Sequence, residues 1–222
     1  MPKRVDHEQR RRQIGEALLR IASTRGLQSA TMREVAAEAG VSLRLVQYYF
    51  HTKEQLLLAA LAYLAEQLTE RVSTSIRALG PVTSRTVVYG TLTAVLPTDE
   101  ESVRLTRAYT GFYTLVFSSE AEMATRHGAT YPDKLESLLA THIVAAQEAG
   151  EVAADVDPAL TAAALLALTN GLGSSVLGGQ RDGAAALRIL HDQLGRLFHA
   201  GKSSTPAPVR APNHRRDRHE QK

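Results

Sequence analysis

Thr31-Met32-Arg33-Glu34-Val35-Ala36-Ala37-Glu38-Ala39-Gly40-Val41-Ser42-Leu43-Arg44-Leu45-Val46-Gln47-Tyr48-Tyr49-Phe50 is the stretch that decides how this chain folds. Thr31 and Glu34 have the T-x-x-E spacing of a capping box, in which each side chain accepts from the other residue's backbone N–H. Behind them Met32, Val35, Ala36 and Ala39 recur at helical spacing and form one apolar face. Gly40 supplies a stop, and Ser42 a cap for a second helix that runs to about Tyr49. Two short helices joined by a tight turn have the lengths of a helix-turn-helix, whose second helix is offered to a DNA major groove. On that helix Val46 and Phe50 are i, i+4 neighbours that pack inward with Val41, which leaves Arg44, Gln47 and Tyr48 on the outer face.

Working outward, Ile14, Ala17, Leu18, Ile21 and Ala22 predict a preceding helix that ends at Gly26. Thr52 caps a long following helix, Gln55 to Ala78, which stops before Gly80-Pro81. Further helices are expected over 84–96, 99–118 and 132–149; Thr98 and Glu101 repeat the capping-box spacing, and Gly150 follows the last of the three. Asp157-Pro158 reads as a cap with proline at the first helical position, opening a helix to Leu177, and Asp182 caps a final one ending near His199. There is no alternating strand, internal repeat or heptad array, so the expected fold class is all-α: a three-helix domain over 1–53 with a basic N-terminal arm, then a larger helical domain over 54–200. From 201 to 222, Pro206, Pro208 and Pro212 interleave with polar and basic residues, a composition that predicts a disordered basic tail.

The 222 residues are 44% hydrophobic and 22% charged, a globular balance. With no cysteine, disulfide frameworks, thiolate metal sites and cysteine nucleophiles are excluded. Apolar runs such as 56–65 and 162–168 fall short of the ~20 residues of a membrane span, and the charged N-terminus lacks the apolar core of a secretory signal. No membrane association and a cytoplasmic location are therefore expected. The net charge of +3 conceals a polarity: residues 1–53 carry 10 basic and 5 acidic side chains, whereas 54–202 carry 11 and 16. A positive N-terminal module suits either a polyanionic partner or a solvated charged face.

The run from Thr31 to Ser42, followed by Tyr48-Tyr49-Phe50-His51-Thr52-Lys53-Glu54-Gln55-Leu56-Leu57, resembles the N-terminal domain of the TetR family of bacterial transcriptional regulators over roughly residues 8 to 60. The resemblance implies a helix-turn-helix DNA-binding domain followed by a helical ligand-binding and dimerisation domain. It also implies a ligand-responsive regulator, in the commonest form a repressor, that binds a palindromic operator on double-stranded DNA as a homodimer. Where the family more often carries Gly-Thr-Leu-Tyr, this sequence has Arg44-Leu45-Val46-Gln47, which implies an operator of its own.

Chemistry suggests roles for the individual residues. Arg44 can bond guanine O6 and N7, and Gln47 adenine N6 and N7, while Leu43 and Leu45 suit thymine methyl groups. Ser42, Tyr48 and Tyr49 hydroxyls, Arg33 and Lys53 suit phosphate oxygens; Thr31 serves its own cap first. Lys3, Arg4 and Arg10 to Arg12 suit either a DNA-binding arm or a solvated segment. Tyr109, Phe112, Tyr113 and Phe117 follow helical spacing and line either an apolar ligand cavity or an ordinary core. Arg104 and Arg107, a turn earlier, suit a ligand carboxylate or surface ion pairs; Tyr89, His127 and Tyr131 are weaker ligand candidates.

In the last two helices Leu168, Gly171, Leu187, Leu190, Leu194 and Leu197 are candidates for a four-helix dimer interface, or for intrachain core. Enzyme signatures are missing from the sequence: no H-E-x-x-H, no E-x-x-H pair and no G-x-S-x-G. No metal site, catalytic residue or cofactor is expected, only an unidentified small-molecule effector. The competing class is a helical small-molecule-binding protein or enzyme without a DNA-binding role.

Overall fold

In a computed structural model of the chain, residues 2–27, 30–118 and 130–200 are described. The basic tail, His127 and the side chains of Lys3, Arg4, Tyr113, Phe117 and Tyr131 lie outside that set. The described residues form α1 (Pro2–Arg25), α2 (Met32–Ala39), α3 (Leu43–Tyr49), α4 (Lys53–Ala78), α5 (Ser84–Val95), α6 (Glu100–Ser118), α7 (Thr130–Glu148), α8 (Pro158–Leu177) and α9 (Gly183–Ala200), with no strand among them.

The helix starts follow the expected capping chemistry. Thr31 accepts from Glu34 N at 3.1 Å while Glu34 accepts from Thr31 N at 2.9 Å, so two of the orphan amides of α2 are satisfied reciprocally. Gly40, at φ 67°, closes α2 in the left-handed region, and Val41 N reaches back to Ala36 O at 2.9 Å. Asp157 accepts from Ala159 N and Leu160 N to start α8, with Pro158 behind it. At α6 the expected Thr98–Glu101 box is replaced by one a residue later. Asp99 accepts from Ser102 N at 2.8 Å, and the Ser102 hydroxyl accepts from Asp99 N at 3.0 Å and Thr98 N at 2.9 Å. The aspartate, a stronger acceptor than a threonine hydroxyl, takes the cap.

Two apolar clusters hold the chain together. The first joins Ile14, Leu18 and Ile21 of α1 to Val35 of α2, Val46 of α3 and Leu56 and Leu64 of α4, and includes Leu105, Ala108 and Phe112 of α6. The second joins Val88 and Leu92 of α5, Leu139 and Ile143 of α7, Ala162 and Leu165 of α8 and Leu190 and Leu194 of α9. α4 runs between the two, packed on α1 and on α5. The α4–α5 approach is closest at Gly90, where an added Cβ would lie 2.8 Å from Ile76 Cα and 2.9 Å from Ile76 N. Only glycine fits that crossing.

α8 corrects one expectation. On length and composition alone its 20 residues are apolar enough to cross a membrane, although no uninterrupted run within it is. Its Thr, Ser, Gly and Asn residues break the runs without adding charge. The helix packs against α7, α9, α5 and α6 as a member of the bundle.

Candidate nucleic-acid interface

α3 divides as its spacing requires. Val46 and Phe50 are fully buried against the first cluster, Leu43 and Tyr49 are half-buried on its edge, and Arg44, Gln47 and Tyr48 stand exposed. Tyr48 keeps 65% of its surface in solvent while its ring packs edge-on against Tyr49 at 5.3 Å. Ser42 accepts from Leu45 N at 3.1 Å, so its hydroxyl hydrogen remains available to donate. Leu45 is half-buried, and Arg33 on α2 and Lys53 at the start of α4 are exposed. Thr31 is exposed and its hydroxyl serves the α2 cap. The structure therefore brings the expected residues of α2, α3 and the α4 start into one module whose apolar side faces the core.

Two sets of contacts in this module were not legible from the sequence. Arg11 Nη1 donates to Tyr49 O at 2.9 Å, and its guanidinium lies 4.6 Å from the Phe50 ring centroid. His7 packs edge-on against Tyr49, with centroids 4.5 Å apart, and within 6.4 Å of Tyr48. The expected basic arm is instead the first turns of a continuous helix: Arg10 bonds Gln13, Arg11 holds α3, and Arg12 pairs with Glu66 at 3.6 Å. A basic cluster alone gave no sign that these side chains reach α3 and α4.

Carboxylates at the helix starts are held in their charged form. The Thr31 backbone N–H, then its hydroxyl, keep Glu34 below the usual carboxylate range; the Thr52 hydroxyl does the same for Glu54. At Asp99 burial opposes ionisation, but Ser102 and the Arg71 guanidinium outweigh it and the carboxyl is lowered. Arg71 also donates to Ala94 O at 2.8 Å and lies 3.7 Å from Glu101, so α4 is clamped to the end of α5 and the start of α6.

The ligand candidates separate. Arg104 donates to Gln67 at 3.2 Å, and Arg107 is exposed. Phe112 is buried in the first cluster and lines no described cavity, because its face of α6 turns toward α1. Tyr89 packs on His191 and Phe198. Among the described candidates Tyr109 lines a cavity, of about 50 Å³, with Thr106 beside it. A larger, open cleft of about 620 Å³ between α4, α5 and α6 is lined by charges that are already paired, including Arg12, Glu66 and Arg71.

The dimer candidates also separate. Leu190 and Leu194 are fully buried within their own chain, since Ala186, Leu190, Leu194 and Phe198 form the i, i+4 stripe that faces the second cluster. They are core, not interface. Leu168 and Leu197 line an open groove of about 520 Å³ between α8 and α9, Gly171 is exposed, and Leu187 is half-buried.

An exposed Arg, Gln and Tyr face on the second helix of a helix-turn-helix, carried by an all-helical bundle, is the build of a DNA-binding transcriptional regulator. A family model described as bacterial regulatory proteins, tetR family, matches residues 14–60, and one described as BetI-type transcriptional repressor, C-terminal, matches 84–199. The chain belongs to the TetR family. It is 40% identical over 105 residues to the HTH-type transcriptional regulator PksA of Bacillus subtilis, covering 47% of this chain and 50% of that one. It is 32% identical over 140 residues to the regulator BetI of Agrobacterium fabrum, covering 63% and 66%. The matches thus span half to about two thirds of these relatives. A crystal structure of a TetR-family regulator from a Rhodococcus species superposes with a TM-score of 0.75 at 26% identity, covering 86% of this chain and 99% of that one.

Proposed function

We propose that this protein is a cytoplasmic repressor that binds a palindromic operator as a homodimer and releases it when a small molecule enters the regulatory bundle. The observation that carries the reading is the split of α3, with Val46 and Phe50 buried behind it and Arg44, Gln47 and Tyr48 exposed in front. Arg and Gln are the side chains suited to bidentate bonds with guanine and adenine, and Tyr48, Arg33 and Lys53 suit the flanking phosphates.

Support for a homodimer comes from α8. Leu160, Ala164, Ala167, Gly171 and Ser174 are exposed along one side of it, and Leu160 keeps 70% of its surface in solvent. Small residues permit close helix approach, and a twofold pairing of α8 and α9 would remove this surface from water. Support for an effector comes from the cavity at Tyr109, which Leu68 of α4 also lines. A ligand there would press on the helix that carries the DNA-binding module, and it shifts the equilibrium only to the extent that it prefers the DNA-incompetent arrangement.

The test is selection of genomic fragments by purified protein at moderate salt, repeated with Arg44→Ala. An enriched palindrome that disappears with the variant supports the reading. A folded, dimeric protein that enriches nothing overturns it.

A further inference from the structure

We infer that the effector is uncharged: a molecule with a short aliphatic body and a single hydrogen-bonding head, such as an alcohol or amide. The inference rests on the effector role proposed above for the cavity at Tyr109. Leu68, Val95, Leu135 and Leu166, from α4, α5, α7 and α8, supply aliphatic walls. Thr106, Tyr109 and Asn170 supply the polar atoms, and no charged side chain lines the cavity among the described residues. The Thr106 and Asn170 side chains have no hydrogen-bond partner among the described residues, so two neutral groups are left to bond a ligand head.

Charge has no counterpart among the described residues that line this space. Arg104 is turned to Gln67 and Arg107 to solvent, so a carboxylate would enter unpaired. Glu66, Glu70 and Glu101 line the separate open cleft, and Tyr109 is the single aromatic among the described cavity residues, so the described lining offers a cation neither carboxylate nor aromatic cage. An ion buried without a partner costs far more than its aliphatic body returns. At about 50 Å³ the cavity takes only a small group without widening, so a longer aliphatic body has to displace side chains of the helices that line it.

Three probes with the same six-carbon body separate the possibilities: hexan-1-ol, hexanoate and hexyltrimethylammonium, each titrated calorimetrically into the full chain. Hexan-1-ol is expected to bind at least tenfold more tightly than either ion. Leu166→Phe, which fills the space, should abolish that binding, and the near-isosteric Thr106→Val should weaken it severalfold with an unchanged melting temperature. The Thr106→Val comparison stands if Leu166→Phe fails to fold. Tighter binding of either ion, equal binding of all three, binding of none, or hexan-1-ol binding indifferent to both variants overturns the inference. Operator affinity measured without probe distinguishes the two levels. Normal DNA binding with an ion-preferring cavity removes only the ligand class, whereas absent DNA binding removes the regulator reading whichever probe binds.

Discussion

Arg11 and Tyr49, 38 residues apart, are joined by a guanidinium to carbonyl hydrogen bond of 2.9 Å that ties the first helix to the last turn of the recognition helix. The carbonyl belongs to a helix end that would otherwise leave it to water, and the same guanidinium covers Phe50. Arg11→Ala removes both contacts. At an exposed site they are worth about 1 kcal/mol together, so the melting temperature should fall by about 2–4 °C and operator affinity should drop with it. Thermal unfolding and fluorescence anisotropy check this; wild-type values in both would show the contact to be idle.

Base-reading and phosphate-binding residues should respond differently to truncation. Arg44→Ala and Gln47→Ala are each expected to cost about 1–3 kcal/mol on the operator and much less on random DNA. Lys53→Ala should weaken both DNAs alike and lower the salt dependence by about one counterion. Equal losses on both DNAs for Arg44→Ala and Gln47→Ala would remove direct base reading from those positions.

Gly90→Ala puts a methyl group 2.7 Å from Ile76 Cγ1 and 2.8 and 2.9 Å from Ile76 backbone atoms. Overpacking of this kind costs about 1–3 kcal/mol, and because backbone atoms lie as close as Cγ1, Ile76→Ala, which removes Cγ1, should not relieve it. Urea denaturation of the single and double variants tests this, and recovery in the double variant would place the clash on the Ile76 side chain.

Acid should loosen the α4–α6 clamp. The folded-state pKa of Asp99 lies below its ordinary value, so its contribution to stability is present above the unfolded value and is lost as pH falls through the folded one. Stability should therefore decline below about pH 4, and Asp99→Asn should start lower and decline less steeply. Denaturation midpoints between pH 3 and 7 decide the matter; parallel curves would exclude Asp99 as a source of the dependence.

Two leucines test the division of α8 and α9 between core and surface. Leu190→Ala should destabilise the chain by about 2–5 kcal/mol, as cavity-forming core substitutions do. Leu160→Glu, at an exposed position, should leave the fold intact and shift sedimentation toward the monomer. A Leu160→Glu dimer as tight as the wild type would move the interface elsewhere.

How much of this was legible beforehand depended on range. The capping box at Thr31, the stop at Gly40 and the buried pair Val46 and Phe50 are each encoded by residues no more than four positions apart, and they appear where the spacing put them. The Thr98–Glu101 box failed narrowly because two overlapping cap patterns competed and the carboxylate of Asp99 won. Leu190 and Leu194 stood between interface and core because a leucine stripe has the same period whether it faces its own chain or another, and burial within the chain places them in the core. His7, Arg11 and Arg71 act on residues 23 to 42 positions away, and nothing in local periodicity marks a side chain that bridges such distances.

The Gly90–Ile76 crossing also fixes a lever. Ile76 lies near one end of α4 and Lys53 at the other, about 35 Å away at 1.5 Å per residue. A tilt of about 5° around that fulcrum would carry the Lys53 end through about 3 Å, and a twofold mate would double the change to about 6 Å, against an operator repeat of about 34 Å. Arg71, only about 8 Å from the fulcrum on the same rise per residue, would have to yield less than 1 Å. In the proposed dimer, mechanical gain of this size would let a ligand that tilts α4 put two reading heads out of step with the double helix.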